Sequence, residues 1–268
     1  MDGHGARIEL NDLRKIFRRN EREITAVEGL SFSIEPGEFV CMLGPSGCGK
    51  TTILRMIAGL ESPTSGEIIQ GGKRVTSPGP ERGMVFQEFA LFPWRTVRKN
   101  IEFGLEQKGL TQAQRTEISN KYIDLVDLEG FEDAHPRELS GGMKQRAGIA
   151  RALANDPDVL LMDEPFGSID AQTRNLMQRE LLRIWESTRK TVVFVTHSVD
   201  EAVFLADRIV VLTARPAKVR EIIGVPIERP RDRTSPAFID IRAKVLEELQ
   251  EEFEKTGALE RKDVAKSR

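Results

Sequence analysis

The sequence predicts an α/β fold: a parallel sheet flanked by helices, preceded by an antiparallel β region and interrupted by a helical insertion. The stretch Val40–Leu60 combines an apolar strand, a glycine-rich turn and an apolar-periodic helix. The runs Val159–Met162 and Val192–Val195 are continuously apolar, as is typical of parallel strands buried on both faces. Residues 88–138 hold few β-branched runs and several helical patterns. These observations together predict the α/β class and the position of the insertion.

The composition excludes several classes of protein. Charged residues make up 31% of the 268 residues, but the net charge is only −2, so there is no basic footprint for nucleic acid. No stretch approaches the roughly 20 apolar residues of a membrane span, and Met1–Gly5 lacks the apolar segment of a signal peptide. We therefore expect a soluble chain that stays where it is made. Cys41 and Cys48 are expected to be free thiols in a reducing compartment.

The N-terminal region is predicted to form an antiparallel sheet. Arg7–Leu10 resembles a short strand, the basic run Arg14–Arg22 a solvated hairpin edge, and Leu30–Ile34 a cleanly alternating strand before the turn at Glu35–Glu38. Phe17 lies just before the charged part of the hairpin. Its ring could stack on a purine, but from spacing alone an ordinary edge aromatic is favoured.

The glycine-rich turn predicts a polyphosphate site. Residues Gly44–Thr51 fit the pattern Gly-x-x-x-x-Gly-Lys-Thr. Glycines lack a Cβ, so the backbone can bend around an anion and direct its N–H groups at it. The helix that starts near Lys50 directs its positive end at the same anion. Lys50 is expected to reach the β- and γ-phosphates, and the Thr51 hydroxyl to ligate Mg²⁺. Cys48 lies inside this loop, so we hypothesise that its oxidation blocks nucleotide binding.

Two further stretches flank the predicted helical insertion. Gly83–Gln87 is predicted to be a strand with Gln87 at its end, where ligand-contacting residues gather in open α/β folds. Ser140 with Gly141 and Gly142 stands immediately before a helix predicted over Met143–Ala154. This serine-capped, glycine-rich helix start is either a second anion site or a plain N-cap, and the residues alone do not favour one over the other.

Acidic and histidine side chains follow the two apolar strands. Asp163 and Glu164 come directly after Met162, where two carboxylates are costly unless they have a function. Asp163 suits Mg²⁺, which prefers oxygen ligands and is often held through water, and Glu164 suits a base that polarises water for attack on the γ-phosphate. His197 follows the strand ending at Val195, and it could donate a hydrogen bond to the γ-phosphate.

This set of motifs resembles the ATP-binding cassette (ABC) family of transport ATPases. The resemblance covers about residues 7–225, in the family's order and spacing. It implies a phosphate-loop NTPase core of the RecA-like kind, an N-terminal antiparallel β subdomain and an inserted α-helical subdomain. The nucleotide-binding domain would span residues 1–225, with the helical subdomain and signature motif at 88–155 and a C-terminal helical extension at 226–268.

The resemblance implies a role for each matched residue. Those implied to be catalytic are Lys50, Gln87, Glu164 and His197; the metal would be held by Thr51, Gln87 and Asp163. Those implied to contact ATP are Phe17, Gly44, Pro45, Ser46, Gly47, Cys48, Gly49, Lys50, Thr51, Thr52, Ser140, Gly141, Gly142 and Asp170. Phe17 falls where the family places an adenine-stacking aromatic, which reverses the preference from spacing. Ser168-Ile169-Asp170 replaces the more usual Ala-Leu-Asp and keeps the aspartate.

The resemblance also implies cofactors and partners. The cofactors would be ATP and Mg²⁺. Two copies of the chain would sandwich two ATP molecules head to tail, with the Ser140–Gly142 motif of one copy on the ATP of the other. Two permease subunits and, indirectly, a solute-binding protein would complete the transporter. The chain would be peripheral, at the cytoplasmic face of the cell membrane, with no nucleic-acid partner.

Within the family, three stretches resemble the nitrate, sulfonate and taurine import ATPases: Phe89–Val97, Phe166–Asp170 and Pro226–Arg233. This likeness predicts an importer of a small anionic solute, with the Phe92–Val97 region as the surface that contacts the permease. An exporter's ATPase remains the alternative, since the import reading depends on Pro93-Trp94 and Arg229–Arg233.

Other phosphate-loop proteins fit less well. DNA-repair and chromosome-organising ATPases carry long coiled coils, yet only 90 positions separate Lys50 from Ser140. An unrelated kinase or GTPase would lack the signature at Leu139–Arg146 and a glutamate directly after Asp163.

Overall fold

The computed structural model describes residues 5–19, 22–88, 90–167 and 169–266, with the backbone alone described from residue 253 onward. The chain divides into two compact units. One contains residues up to 6 together with 79–192, and the other contains residues 7–78 and 193–268. We call them the insertion unit and the loop unit respectively. Ser168 and Phe89, which belong to stretches singled out in the sequence, lie outside the described residues.

Strands and helices alternate along most of the chain, and the predicted α/β class is confirmed. The strands are β1 Ile8–Arg19, β2 Arg22–Ile34, β3 Phe39–Leu43, β4 Ser65–Gln70, β5 Lys73–Arg74, β6 Arg82–Val85, β7 Val159–Asp163, β8 Thr191–Val195, β9 Arg208–Leu212 and β10 Val219–Gly224. The helices are α1 Lys50–Ile57, α2 Val97–Gln107, α3 Gln112–Leu125, α4 Gly141–Leu153, α5 Ala171–Thr188, α6 Val199–Leu205 and α7 Pro236–Lys266.

An antiparallel sheet begins the loop unit, with strand order β2-β1-β4-β5. Ile8 of β1 lies opposite Ile34 of β2 on one side and Gln70 of β4 on the other. The first strand is therefore far longer than the predicted Arg7–Leu10, because the basic run that followed it also pairs with β2. Residues 15–19 of that run belong to β1 and pair with β2, with Phe17 opposite Ile24. Asn20 and Glu21 of the same run lie outside the described residues.

The loop unit also contains three strands, β3, β9 and β10, that pair partly in parallel and partly antiparallel. β3 is buried at every position and pairs in parallel with β9, which pairs antiparallel with β10. Phe238, Ile241, Val245, Leu249 and Phe253 recur at helical spacing, which predicts a helix packed on the domain. Helix α7 buries Phe238, Val245 and Leu249, whereas Ile241 is partly exposed. The side chain of Phe253 lies outside the described residues. The boundary between the two units falls within β8.

The insertion unit combines a parallel strand pair with four helices. β6 pairs with β7, with Gly83 opposite Leu160 and Val85 opposite Met162. The strand predicted over Gly83–Gln87 is present as β6, but it ends at Val85, two residues before the predicted end. Its partner β7 ends at Asp163, whose place in the register is opposite Phe86, so Gln87 has no β7 residue to pair with. Helices α2 and α3 occupy the predicted insertion, and Thr111 begins α3 with a capping box. Among the described helices, none is both long and apolar enough to cross a membrane.

Candidate functional site

The glycine-rich turn joins β3 to α1 within the loop unit and surrounds the Lys50 ammonium. Lys50 Nζ donates hydrogen bonds to the carbonyl oxygens of Gly44 at 2.8 Å and Pro45 at 3.0 Å. The side chain is only 5% exposed. These two contacts are with neutral carbonyls, so they hold the ammonium in place without neutralising its charge. The arrangement suits an anion with several oxygens, such as a polyphosphate.

Two glycines give the turn its shape for different reasons. Gly47 has a φ of 72° and open space where a Cβ would lie, so conformation alone favours glycine there. Gly49 has a φ of 125°, and a Cβ would lie 3.0 Å from the carbonyl oxygen of Ala26. Gly49 is also the N-cap of α1 and offers no side-chain oxygen to the first-turn N–H groups. Those N–H groups therefore have no side-chain cap competing with a phosphate.

Cys48 is a packing residue of the turn. Its side chain is 1% exposed, and its backbone N–H donates to the carbonyl oxygen of Pro45 at 3.2 Å. Burial raises the pKa of the Cys48 thiol, and the nearby Lys50 opposes this only in part. The thiol is therefore protonated and enclosed, which does not support the hypothesis of an oxidation-sensitive Cys48.

His197 is exposed and lies between two anchored residues of the loop unit. The Thr196 backbone N–H donates to the carbonyl oxygen of Met42 at 3.3 Å, and Met42 belongs to the strand that leads into the glycine-rich turn. The Thr196 hydroxyl donates to Glu201 Oε2 at 2.5 Å, and the Ser198 N–H donates to Thr196 Oγ1 at 3.0 Å. The end of β8 is thereby tied both to β3 and to α6.

Phe17 lies on β1 of the loop unit, and its ring is 38% exposed. The Lys15 ammonium is 5.0 Å from the ring centroid. An exposed aromatic face beside a cation is suited to stacking with a purine, although the same exposure is ordinary for an edge aromatic.

Gln87 and Glu164 both approach Gly167 in the insertion unit. A Cβ built on Gly167 would lie 3.4 Å from Gln87 Nε2 and 3.9 Å from Glu164 Oε2. The Gly167 N–H donates to the Glu164 carbonyl oxygen at 3.0 Å. Sequence reasoning missed this glycine. The only signal for it was its place three residues after the second carboxylate, in a stretch used for the subfamily likeness alone.

Glu164 has a left-handed backbone conformation, with a φ of 43°. Non-glycine residues adopt this region rarely, and they cluster at functional sites when they do. Asp163 is the last residue of β7 and is partly exposed. The described residues include no cluster of three or more His, Cys, Asp or Glu side chains able to hold a metal ion.

The Ser140 helix start is an N-cap that also presents an exposed surface. Ser140 Oγ accepts a hydrogen bond from the Met143 N–H at 3.3 Å, while its own hydroxyl hydrogen stays available for donation. Ser140 and Gly141 are exposed, whereas Gly142 is buried. A Cβ on Gly142 would lie 3.3 Å from Thr173 Cγ2, so glycine there permits close packing of α4 on α5.

Asp170 is the N-cap of α5. Its Oδ1 accepts hydrogen bonds from the backbone N–H groups of Thr173 at 3.0 Å and Gln172 at 3.1 Å. These hydrogen bonds lower the pKa of Asp170, and the bond from Thr173 has the largest effect. The carboxylate is exposed and stays ionised, so one oxygen caps the helix while the charge faces solvent.

Comparison with known proteins gives a consistent picture. Residues 27–167 match the family described as ABC transporter. The chain is 55% identical over 250 residues to an uncharacterized ABC transporter ATP-binding protein of Methanocaldococcus jannaschii, covering 93% of this chain and 94% of that one.

Two further relatives have more specific names. A nitrate import ATP-binding protein of Synechocystis sp. is 49% identical, covering 85% of this chain and 87% of that one. An aliphatic sulfonates import ATP-binding protein of Bacillus cereus is 44% identical, covering 94% and 98%.

Among solved structures, a dimeric ATP-binding cassette in a post-hydrolysis state, bound to ADP and Pi, superposes with a TM-score of 0.72. It is 31% identical, and the match covers 82% of this chain and all of that one.

Proposed function

We propose, on the premise that this chain belongs to the ABC transporter family and is one of its ATP-hydrolysing subunits, that it energises the uptake of a small anionic solute through a membrane permease. The observation that carries the proposal is the identity of 49% and 44% to relatives named as nitrate and aliphatic sulfonate import proteins. The solute would be of that class, a nitrate or a sulfonate.

The residues of the loop unit would bind the nucleotide. The turn from Gly44 to Thr52 would wrap the phosphates with backbone N–H groups, and the Lys50 ammonium would exchange its two carbonyl contacts for phosphate oxygens. Phe17 would stack on the adenine. His197 would donate to the γ-phosphate from a backbone held by its neighbours Thr196 and Ser198.

The residues of the insertion unit would act on the attacking water. Glu164 would orient and polarise it, and Gln87 would hold the same water from the side of Gly167. Thr51, Gln87 and Asp163 would contact Mg²⁺, which supplies neutralisation of phosphate charge when bound. The described residues contain no dense acidic cluster, which fits an ion that takes most of its oxygens from phosphates and water.

The assembly we propose is a head-to-tail pair of identical chains. The exposed hydroxyl of Ser140 and the exposed Gly141 stand at the N-terminus of α4, where backbone N–H groups favour an anion. In such a pair they would cap the γ-phosphate of the ATP held by the partner, with Asp170 at the same interface. The subunit would be peripheral, at the cytoplasmic face of the cell membrane.

The permease would dock on the insertion unit beside Phe92–Val97. A cleft of about 750 Å³ lies there, lined by apolar groups that include Phe86, Phe92 and Phe103. Trp94 is 71% exposed, and its ring centroid is 5.6 Å from that of Phe92. Arg151 also lines the cleft, with its guanidinium 5.7 Å from the Phe92 ring. An apolar, aromatic cleft rimmed by a cation suits a short amphipathic helix of a permease.

Capture of the tagged chain from its native membranes, with identification of the bound proteins, tests this function. We expect a multi-span permease together with a solute-binding protein, which can then be screened against sulfonates and nitrate. Trp94→Ala should reduce permease capture at least tenfold. Phe131→Ala is the matched control, because Phe131 is also an exposed aromatic of the insertion unit, at 43% exposure, and lies outside the Phe92–Val97 stretch.

Each alternative result overturns part of the proposal. A permease without a binding protein would indicate an exporter. Soluble or DNA-bound partners alone would overturn the transport function while leaving the ATPase family membership intact. Equal capture by the Trp94→Ala and unaltered chains would contradict the docking surface.

A further inference from the structure

A basic segment of the loop unit, residues 225–235 between β10 and α7, holds helix α6 by three arginines. Arg229, Arg231 and Arg233 all direct their side chains at α6 or at the residues that follow it. The sequence pointed to this segment only as a mark of subfamily likeness. Its contacts fix the position of α6, a role that the proposed function does not include.

Arg231 caps the C-terminal end of α6 from inside the unit. Its guanidinium Nη1 donates to the carbonyl oxygens of Val203 at 2.7 Å, Phe204 at 3.2 Å and Ala206 at 2.7 Å. Helix carbonyls at this end lack intrahelical partners and carry the negative end of the helix dipole, so a cation there is stabilising. The residue is only 5% exposed. Burial lowers the pKa of Arg231 to about 10, which still leaves it protonated at neutral pH.

Arg229 also binds the C-terminal end of α6. Its Nη2 donates to the Leu205 carbonyl oxygen at 2.6 Å and its Nη1 to Asp207 Oδ1 at 2.7 Å. The other oxygen of Asp207 accepts the Phe39 N–H of β3 at 2.9 Å. The end of α6 is thereby connected to the strand that leads into the phosphate-binding turn.

Arg233 holds the opposite end of α6. Its Nε donates to Asp200 Oδ2 in the first turn of the helix at 2.7 Å, and its guanidinium lies 3.8 Å from the Phe204 ring centroid. Phe204 is buried, so this cation–π contact is partly desolvated. One side chain therefore reaches both the first and the last turn of the helix.

The helix that these arginines hold is the one that sets the position of His197. It has seven residues, too few to be stable on local interactions alone. Glu201, in its first turn, accepts the Thr196 hydroxyl, and Ser198 caps it by accepting the Glu201 N–H at 3.3 Å. Residues on both sides of His197 are thus attached to α6, and a shift of the helix would move the imidazole.

We propose that Arg233, acting with Arg231 through α6, is a positioning residue for His197 in ATP hydrolysis. The inference depends on the proposed role of His197 toward the γ-phosphate. A displacement of about 1 Å in a reacting group can cost up to 10²-fold in rate, so loss of one of the two anchors has a measurable effect.

The test is a double-mutant cycle on the purified full-length chain, with steady-state ATP hydrolysis, ATP binding and thermal melting measured for each variant. We expect Arg233→Ala to lower kcat about tenfold with KM changed by less than about twofold. Arg233→Lys, which keeps a cation for Asp200 and Phe204, should restore kcat to within about threefold. In a His197→Ala background, Arg233→Ala should lower kcat by less than about twofold further.

Two additional variants serve as a second test of the ion pair and as a negative control. Asp200→Asn removes the same ion pair from the helix side and should reproduce the loss of kcat if Arg233→Ala melts too low to assay. Lys244→Ala is the control, since it removes an exposed pair with Glu221, 2.9 Å apart in the same unit, and should change nothing.

The outcomes separate the inference from the proposed function. Equal losses from Arg233→Ala in both backgrounds, or a loss confined to melting temperature, would overturn the positioning role and leave His197 in place. A His197→Ala chain with unaltered kcat would overturn the role of His197 itself, and the inference with it.

Discussion

Glu164 follows the last residue of β7 with a φ of 43°, beside Gln87 and Gly167. This conformation is incompatible with a strand, so the backbone turns away from the strand direction directly after Asp163. A Cβ at Gly167 would be in ordinary van der Waals contact with both neighbours, 3.4 Å from Gln87 Nε2 and 3.9 Å from Glu164 Oε2. At the scale of single residues, the proposed water-activating group therefore depends on one unusual backbone angle.

Glu164→Gln should bind ATP with affinity changed by less than about twofold and hydrolyse it at least about 10²-fold more slowly, because the amide cannot accept the proton of the attacking water. Phosphate release and nucleotide binding are the measurements. Glu186→Gln, an exposed acid on α5 of the same unit, is the control and should retain full activity. Near-normal hydrolysis by Glu164→Gln would remove the general-base role.

Cys41 and Cys48 should be unreactive toward thiol reagents in the folded chain. Both are buried, and burial raises the pKa of each thiol, so the reactive thiolate stays scarce even near pH 8.5, about where free cysteine ionises. We expect modification at least about tenfold slower in buffer than in denaturant, measured by the rate of disulfide exchange with an aromatic disulfide. Fast modification of one thiol in the native chain would contradict this packing.

The strands next to the candidate site were predictable from local sequence patterns. The strand ends that were predicted wrongly are set by pairing with other strands, which the local sequence does not reveal. β3, β7 and β8 are continuous apolar runs, each followed by polar or glycine-rich residues, so their positions were predictable. β1 was predicted too short because its polar half gains strand structure only by pairing with β2. β6 ends before Gln87 because β7 ends, which is a tertiary constraint.

The contacts of the basic segment, residues 225–235, also could not be predicted from the sequence. A run of charged residues usually predicts a solvated surface, yet Arg231 is 5% exposed and meets backbone carbonyls that no sequence pattern reveals. The proximity of Gly167 to Gln87 was likewise not predictable, because Gln87 lies 80 positions away along the chain. The motifs and the family were predictable from the sequence, whereas these tertiary contacts were not.

Helix α7 is fixed to β10 and to the end of β9 by a buried carboxylate. Glu252 accepts Arg220 Nη1 at 2.7 Å and the Ala214 N–H at 2.8 Å, and is 1% exposed. Glu252→Ala should lower the free energy of unfolding by about 1–3 kcal/mol, because it leaves a part-buried N–H and part of a guanidinium without this acceptor. Thermal melting should show a decrease of roughly 2–4 °C per kcal/mol.

Glu251→Ala provides the matched control for this prediction. Glu251 also pairs with Arg220, at 2.7 Å, but its side chain is 61% exposed, and exposed pairs contribute little. Equal effects of the two substitutions would show that burial of Glu252 does not determine the attachment of α7.

The whole molecule, in the assembly we propose, is a pair of chains in which each completes the other's site. Gly141→Arg tests this, because Gly141 is exposed and a Cβ there would meet nothing within 4 Å. The variant should melt like the parent and bind ATP, yet fail to dimerise when combined with Glu164→Gln and ATP, as judged by size-exclusion chromatography with light scattering.

Gly224→Arg is the control for the dimer, since Gly224 is equally open but lies in β10, in the loop unit. It should dimerise as the Glu164→Gln parent does. ATP-dependent dimers of the Gly141→Arg chain would contradict the assignment of the α4 N-terminus to the interface between copies.

The left-handed backbone at Glu164 has a consequence for how such a chain responds to selection. A glutamate in this region costs about 1–3 kcal/mol that glycine does not incur. Glu164→Gly should therefore raise the melting temperature, while removing the carboxylate that we propose to activate water. If that proposal holds, a library screened for heat resistance alone would accumulate inactive chains at this position, whereas one screened for ATP hydrolysis would retain the less stable glutamate.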